Sequence, residues 1–145
     1  MKVAGSYQVS ATAEKVWNAL TDPQSLAGCI PGCDGLEPTG QDDEYQATMT
    51  VGVGPVKGRY IAKISLTDQD PYRSFRLVIE GSGNMGFVNG GATITLDDQD
   101  GVTTIAVDSE AQVGGPVARV GQRLMDSVAK MMRDNFFKCL QESIK

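Results

Sequence analysis

The chain contains no histidine. That excludes Ser-His-Asp and Cys-His nucleophile systems and any His-ligated zinc or haem. Three cysteines remain: Cys29 and Cys33, spaced C-x3-C across Ile30-Pro31-Gly32, and Cys139 far downstream. Such a pair offers a redox couple or half a metal site. Tetrahedral zinc needs four ligands, and these residues do not supply them. Small side chains packing a tight turn account for the pair. An odd count speaks against a paired framework of the secreted type. Neither a catalytic metal nor a disulfide between Cys29 and Cys33 is expected.

The carboxylates offer acid–base chemistry only if one is desolvated. Asp108 and Glu110 share one face of a strand-like run, opposite Val107, Ser109 and Ala111, which places them on a convex, wet side. The acidic stretches Asp42-Asp43-Glu44 and Asp97-Asp98-Gln99-Asp100 lack EF-hand spacing and read as solvated turns. Gly81-Ser82-Gly83-Asn84-Met85-Gly86 spells G-x-G-x-x-G, yet it lies between two strands, without the helix N-terminus that holds a phosphate. Gly52 to Gly58 lacks the Lys-Ser/Thr ending of a P-loop and reads as a hairpin. Two polar residues fall on apolar faces. Asn135 sits on a helical stripe, where an unpaired amide costs about 1–3 kcal/mol and so needs backbone, water or a ligand. Tyr60, on an inward strand face, can offer its hydroxyl to a ligand carbonyl.

The elements that position these groups follow from periodicity. At 145 residues, 41% hydrophobic and 21% charged, the chain has the size and composition of one globular domain. Its net charge of −5 argues against general nucleic-acid binding. No apolar leader opens the chain and no stretch approaches bilayer length, so a cytoplasmic protein is expected. Val3, Gly5, Tyr7 and Val9 alternate as a strand over Lys2–Val9. Ser10 or Thr12 caps a helix carrying Ala13, Val16, Trp17 and Leu20, which Asp22-Pro23 stops. A second short helix covers Gln24–Ala27. Strands follow from Tyr45 to Val53, Val56 to Leu66, Phe75 to Glu80, Gly86 to Leu96 and Thr103 to Val113, with Gly54-Pro55 as a turn. One long helix is expected from Pro116 to about Ile144, running roughly 43 Å. Its stripe is Val117, Val120, Leu124, Val128, Met131 and Asn135, widened by Met125, Met132 and Phe136. The fold class is α+β: a curved antiparallel sheet of about seven strands wrapped on a long C-terminal helix, with two short helices after the first strand. Glycines at 52, 58, 86, 90 and 91 let such a sheet bend.

This element order resembles the helix-grip fold of the START/Bet v 1-like superfamily. The run Val16-Trp17-Asn18-Ala19-Leu20-Thr21-Asp22-Pro23, followed by Leu26-Ala27-Gly28-Cys29-Ile30-Pro31-Gly32-Cys33, is similar to the CoxG family of carbon monoxide dehydrogenase subunits. Tyr45 and Val53-Gly54-Pro55-Val56-Lys57-Gly58 match that family's Gly-Pro hairpin. The resemblance covers essentially the whole chain. It implies a non-enzymatic accessory to a molybdenum hydroxylase that binds a hydrophobic small molecule, of quinone or lipid type, with no covalent cofactor. Longer members carry a tail beyond the last helix that is thought to reach the membrane.

In a helix-grip domain the ligand space lies between helix and sheet. The residues expected to line it are Trp17, Met49, Val51, Tyr60, Phe75, Leu77, Leu124, Met125, Val128, Met132, Asn135 and Phe136. The alternatives are a cyclase- or hydrolase-type enzyme of the same superfamily and an interaction module with a collapsed pocket. At the helix end, Phe136, Phe137, Leu140 and Ile144 project in different directions. A single sheet cannot bury them all, so a partner surface is expected there: a homodimer or oxidoreductase contact, ranked above peripheral membrane contact.

Overall fold

Side-chain alternation along Lys2–Val9 produces β1, with Val3, Gly5, Tyr7 and Val9 turned inward. The structure, a computed structural model, describes residues 2–51 and 57–144. The expected Gly54-Pro55 turn, with Val53 and Val56, lies outside the described residues, as does the side chain of Val120. Thr12 caps α1 (Ala13–Thr21) by accepting a hydrogen bond from the Lys15 N–H, and Asp98 accepts one from the Ala13 N–H. α1 buries Val16, Trp17 and Leu20. Asp22 ends α1 and caps α2 (Pro23–Cys29) through the Gln24 N–H, with Pro23 in the first position.

A strand not read from the sequence follows, β2 (Cys33–Pro38). Its pairing shifts register between Cys33 and Leu36, so the period-two signal is broken within six residues. The meander continues through β3 (Glu44–Val51), β4 (Gly58–Asp70), β5 (Ser74–Gly83), β6 (Gly86–Gln99) and β7 (Val102–Gly114). All pairings are antiparallel, and the seven-stranded order is β1-β7-β6-β5-β4-β3-β2. The first strand therefore joins the last, and β1 and β2 form the two edges.

The C-terminal helix is shorter than expected. Pro116–Val120 is a 3₁₀ turn, and Gly121, at φ +92°, breaks the chain before α3 (Gln122–Ile144). That backbone angle suits glycine and interrupts the helical ladder. α3 spans about 34 Å. Its inward face is also rotated from the expected stripe. Val128, Phe137 and Leu140 are buried, Leu124, Met125, Met132 and Phe136 half-buried, and Met131 and Asn135 exposed. The Asn135 amide therefore meets solvent rather than an apolar face.

The core gathers at one end. Trp17, Leu20, Phe75, Ile94, Leu96, Ile105, Phe137 and Leu140 pack together, with Phe136 and Ile144 against them. Phe137 stacks on Tyr7 with ring centroids 4.3 Å apart, and Trp17 meets Phe75 edge-on at 5.4 Å. The helix end thus needs no partner protein to bury Phe137 and Leu140. α1, α2 and β1 approach α3 from the sides that a sheet alone leaves open.

The cysteine reading is corrected as well. Cys29, the last residue of α2, is disulfide-bonded to Cys139 in α3, across 110 residues. Cys33 keeps a free thiol that faces the Gly35 carbonyl. The fold joins two cysteines that sequence spacing could not pair.

Candidate functional site

The inner face of the sheet is graded in size. At the core end, one row of paired residues reads Phe75, Ile94, Val107 and Gly5. The next reads Leu66, Leu77, Ala92, Ser109 and Val3. Further along come Tyr45, Ile64, Ile79, Gly90 and Ala111. Then come Ala47, Ala62, Gly81, Val88 and Val113. On β6 and β7 the side chains shorten from Ile94 and Val107 to Gly90 and Ala111, while β3 and β4 keep Tyr45, Ile64, Met49 and Tyr60. α3 makes its close backbone approaches to β1, α1 and α2. Ala47, Ala62, Ile64 and Gly81 are buried, with Ile30, Leu36, Met49, Leu77 and Ile79 packed around them, whereas the inner face of β5, β6 and β7 is less covered and leaves a gap. Its apolar walls Met49, Leu77, Ile79, Val88 and Ala92 stay half-buried although they face inward.

At the small-residue end the gap opens. A cavity of about 520 Å³ lies there between β6, β7, the 3₁₀ turn and the start of α3. Phe87, Ala111, Gln112, Val113, Ala118, Gly121 and Met125 line it. A volume of that order holds a drug-sized ligand. The Val117 N–H donates to the Met85 carbonyl at 2.6 Å, tying the 3₁₀ turn to the β5–β6 turn. Val51, Met85, Val113, Leu124, Met125 and Met132 pack around Val117 and Val128 as an apolar rim. A further groove of about 460 Å³, lined by Arg123, Asp126, Ser127 and Lys130, lies along α3.

The expected lining residues therefore fall into groups. Val51, Leu124, Met125, Val128 and Met132 meet at the open end. Met49 and Leu77 pack near Ala47, Ala62 and Ile64 in the middle. Trp17 and Phe75 are buried in the core, with Phe136 at its border. Asn135 is brought to none of them. Phe87, Ala111, Gln112, Val113, Ala118 and Gly121 were missed. Parity along β7 pointed Ala111 and Val113 inward, but the break at Gly121 that turns the chain over them carries no periodic signal.

Tyr60 lies inward on β4, paired with Met49 on one side and Gly83 on the other. Burial raises its hydroxyl pKa above the usual tyrosine value, so the group stays protonated and can both donate and accept. A second polar group lies beneath β1. Arg133 of α3 reaches under the strand, its Nη1 donating to the Ala4 carbonyl at 3.0 Å and its guanidinium 5.7 Å from the Tyr7 ring centroid. The Arg133 Nε is buried, without a hydrogen-bond partner, and lies 3.7 Å from Asp134 Oδ1. The Tyr7 hydroxyl donates to that same oxygen at 2.5 Å. Burial raises the Tyr7 pKa, and the bond to Asp134 adds to the rise, against the opposing charge of Arg133. Adjacent Arg and Asp on a helix gave no sequence signal for this trio, because an edge strand 127 residues away completes it.

The other candidate groups are placed as structure rather than chemistry. Glu110 accepts from Arg76 on the outer face of the sheet, and Asp108 is exposed beside it. The G-x-G-x-x-G run forms the β5–β6 turn, with no helix following. Among the described residues, no group of three or more His, Cys, Asp or Glu side chains could hold a metal ion. Among the same residues, no helix is long and apolar enough to cross a membrane.

The family model of CoxG, a subunit of carbon monoxide dehydrogenase, matches residues 5–145. The chain belongs to the CoxG family. The same fold is seen in solved structures. A conserved protein from Geobacillus kaustophilus superposes on this chain with a TM-score of 0.96 at 40% identity, covering 99% of this chain and 95% of that one. A START superfamily protein from Mycobacterium smegmatis superposes with a TM-score of 0.74 at 12% identity, covering 99% and 96%. A protein from Chromobacterium violaceum does so at 0.74 and 16%, covering 99% and 96%. The last two establish the fold alone: this CoxG family chain has the START-like, helix-grip architecture. No curated protein matches it. Family and fold together make it a ligand-binding domain.

Proposed function

We propose that the chain binds a hydrophobic small molecule, a quinone or a lipid-like chain, in the gap between α3 and the sheet. In this reading it serves as a non-enzymatic accessory to a molybdenum hydroxylase. The observation that carries the reading is the gap itself. The inner face falls from Phe75 and Ile94 to Gly90, Ala92 and Ala111, which stay half-buried on the side that faces α3, and a cavity of about 520 Å³ adjoins them at Ala111. Each ligand methylene that moves from water into such a gap contributes roughly 0.8 kcal/mol, before ordering costs. A prenyl or acyl chain gains most from that term. The protonated Tyr60 hydroxyl, set among apolar walls, is suited to orient a carbonyl head.

The test uses N-phenyl-1-naphthylamine, a neutral apolar probe whose fluorescence rises on leaving water. The wild-type chain should bind it and menadione should displace it. Ala111 is half-buried on the inner face of β7 and lines the cavity, so a leucine there takes up ligand space. Ala111→Leu should weaken probe binding about tenfold, the equivalent of 1.4 kcal/mol, while the far-ultraviolet dichroism stays native. A wild-type chain that binds neither compound, or equal binding by a folded Ala111→Leu, would sink the reading.

A further inference from the structure

The turns of an antiparallel meander alternate between its two ends, and here the ends carry opposite charge. The β2–β3, β4–β5 and β6–β7 turns, with the strand ends beside them, share the core end and hold Asp42, Asp43, Asp68, Asp70, Asp97 and Asp100 against one cation, Arg73. The other end carries Lys57 and Arg59 around the start of β4, Arg119 in the 3₁₀ turn and Arg123 in the first turn of α3, all exposed, with Lys130 and the half-buried Asp126 further along the helix. Arg59 is paired with Thr50, one register step from the last pair of that hairpin. This is the end at which the cavity opens. Two apolar side chains lie near Arg59 on the outer face of the sheet. Ile61 is 56% exposed and Phe87, which lines the cavity, 43%. They flank Ser82 in one row of the sheet.

We infer that this end is a docking face for an acidic protein surface. A chain of net charge −5 that concentrates cations around the cavity mouth is oriented by its own field, acidic end away from an acidic partner and mouth towards it. Of Lys57, Arg59, Arg119 and Arg123, three are arginines, whose planar fork pairs with carboxylates in two parallel hydrogen bonds. Arginine and aromatic side chains are enriched in the cores of protein interfaces. Ile61 and Phe87 lie flat on a sheet rather than along the wide apolar face of a helix that inserts into lipid. The charge arrangement stands by itself. Its use, passing a ligand to the partner without crossing water, rests on the reading that the gap holds one.

An immobilised decaglutamate peptide tests the docking face, because a net-acidic chain should be repelled by it. The full chain should bind at low ionic strength and release as salt is raised to physiological levels. Peptide-induced amide shifts should gather at residues 57–61, 87 and 115–123 and spare the acidic turns. The double variant Arg59→Glu/Arg119→Glu should bind at least about tenfold more weakly, with its N-phenyl-1-naphthylamine affinity unchanged. No binding by the wild type, or undiminished binding by the double variant, overturns the inference. So does binding to phosphatidylglycerol vesicles without binding to the peptide, which would make the surface a lipid one. Failure of the naphthylamine probe in the wild type instead strikes the pocket reading and leaves the peptide result to be judged alone.

Discussion

The Arg133 guanidinium of α3 lies against Gly5 of β1, with its central carbon 3.2 Å from where a Cβ on that glycine would stand. The helix can lie this close to the edge strand because residue 5 has no side chain. The same arginine donates to the neighbouring Ala4 carbonyl, so one side chain spaces α3 from β1 and occupies an acceptor on that strand. A branched side chain here must displace the guanidinium, whose Nε is already buried. Gly5→Val should therefore lower stability by about 1–3 kcal/mol, as overpacking does, read as a reduced urea midpoint at unchanged slope.

The end of α3 belongs to the core. Phe137 is stacked on Tyr7 and meets Phe136 edge-on at 5.0 Å, while Leu140 is fully enclosed. Phe137→Ala should cost about 3–5 kcal/mol, and Phe137→Asp with Leu140→Asp should leave the chain unfolded by circular dichroism. Met131→Asp, on the exposed face of the same helix, should change stability by no more than about 0.5 kcal/mol.

The disulfide between Cys29 and Cys139 closes a loop of 110 residues and holds α2 against α3. Cys139→Ser should remove about 2–5 kcal/mol of stability. Dithiothreitol should lower the wild-type midpoint and leave that of the variant unchanged. Cys33→Ser, which touches only a free thiol, should keep both the midpoint and the response to reductant.

Tyr7 and Tyr60 both have pKa values raised above the ordinary tyrosine value of 10.0, Tyr7 chiefly by burial with help from Asp134 and Tyr60 by burial. Raised folded-state values mean that the unfolded chain loses these protons first. The stability they contribute is complete below the unfolded pKa of about 10 and is lost as pH rises through the folded values. Unfolding midpoints should fall above that pH. The fall should be smaller in Tyr7→Phe and in Tyr60→Phe, each measured against its own midpoint at neutral pH.

Local chemistry determined much of this protein. Alternation wrote β1 and the five strands from β3 to β7, and Thr12 with Asp22-Pro23 bounded the first helix, because a strand face and a helix cap are properties of near neighbours. The resemblance carried by the Asp-Pro and Cys-Ile-Pro-Gly segments reached the right family. Three things waited for the tertiary structure, each set by residues far apart in the chain. Gly121 ended the expected helix early, and packing against β1, α1 and α2 then turned Asn135 out and Phe137 and Leu140 in. Docking of α2 on α3 selected Cys139 as the partner of Cys29. Strand pairing lined up Gly90, Ala92 and Ala111 in neighbouring rows on the face turned to α3. A gap is made by what two surfaces fail to fill, and no single stretch of sequence contains both surfaces.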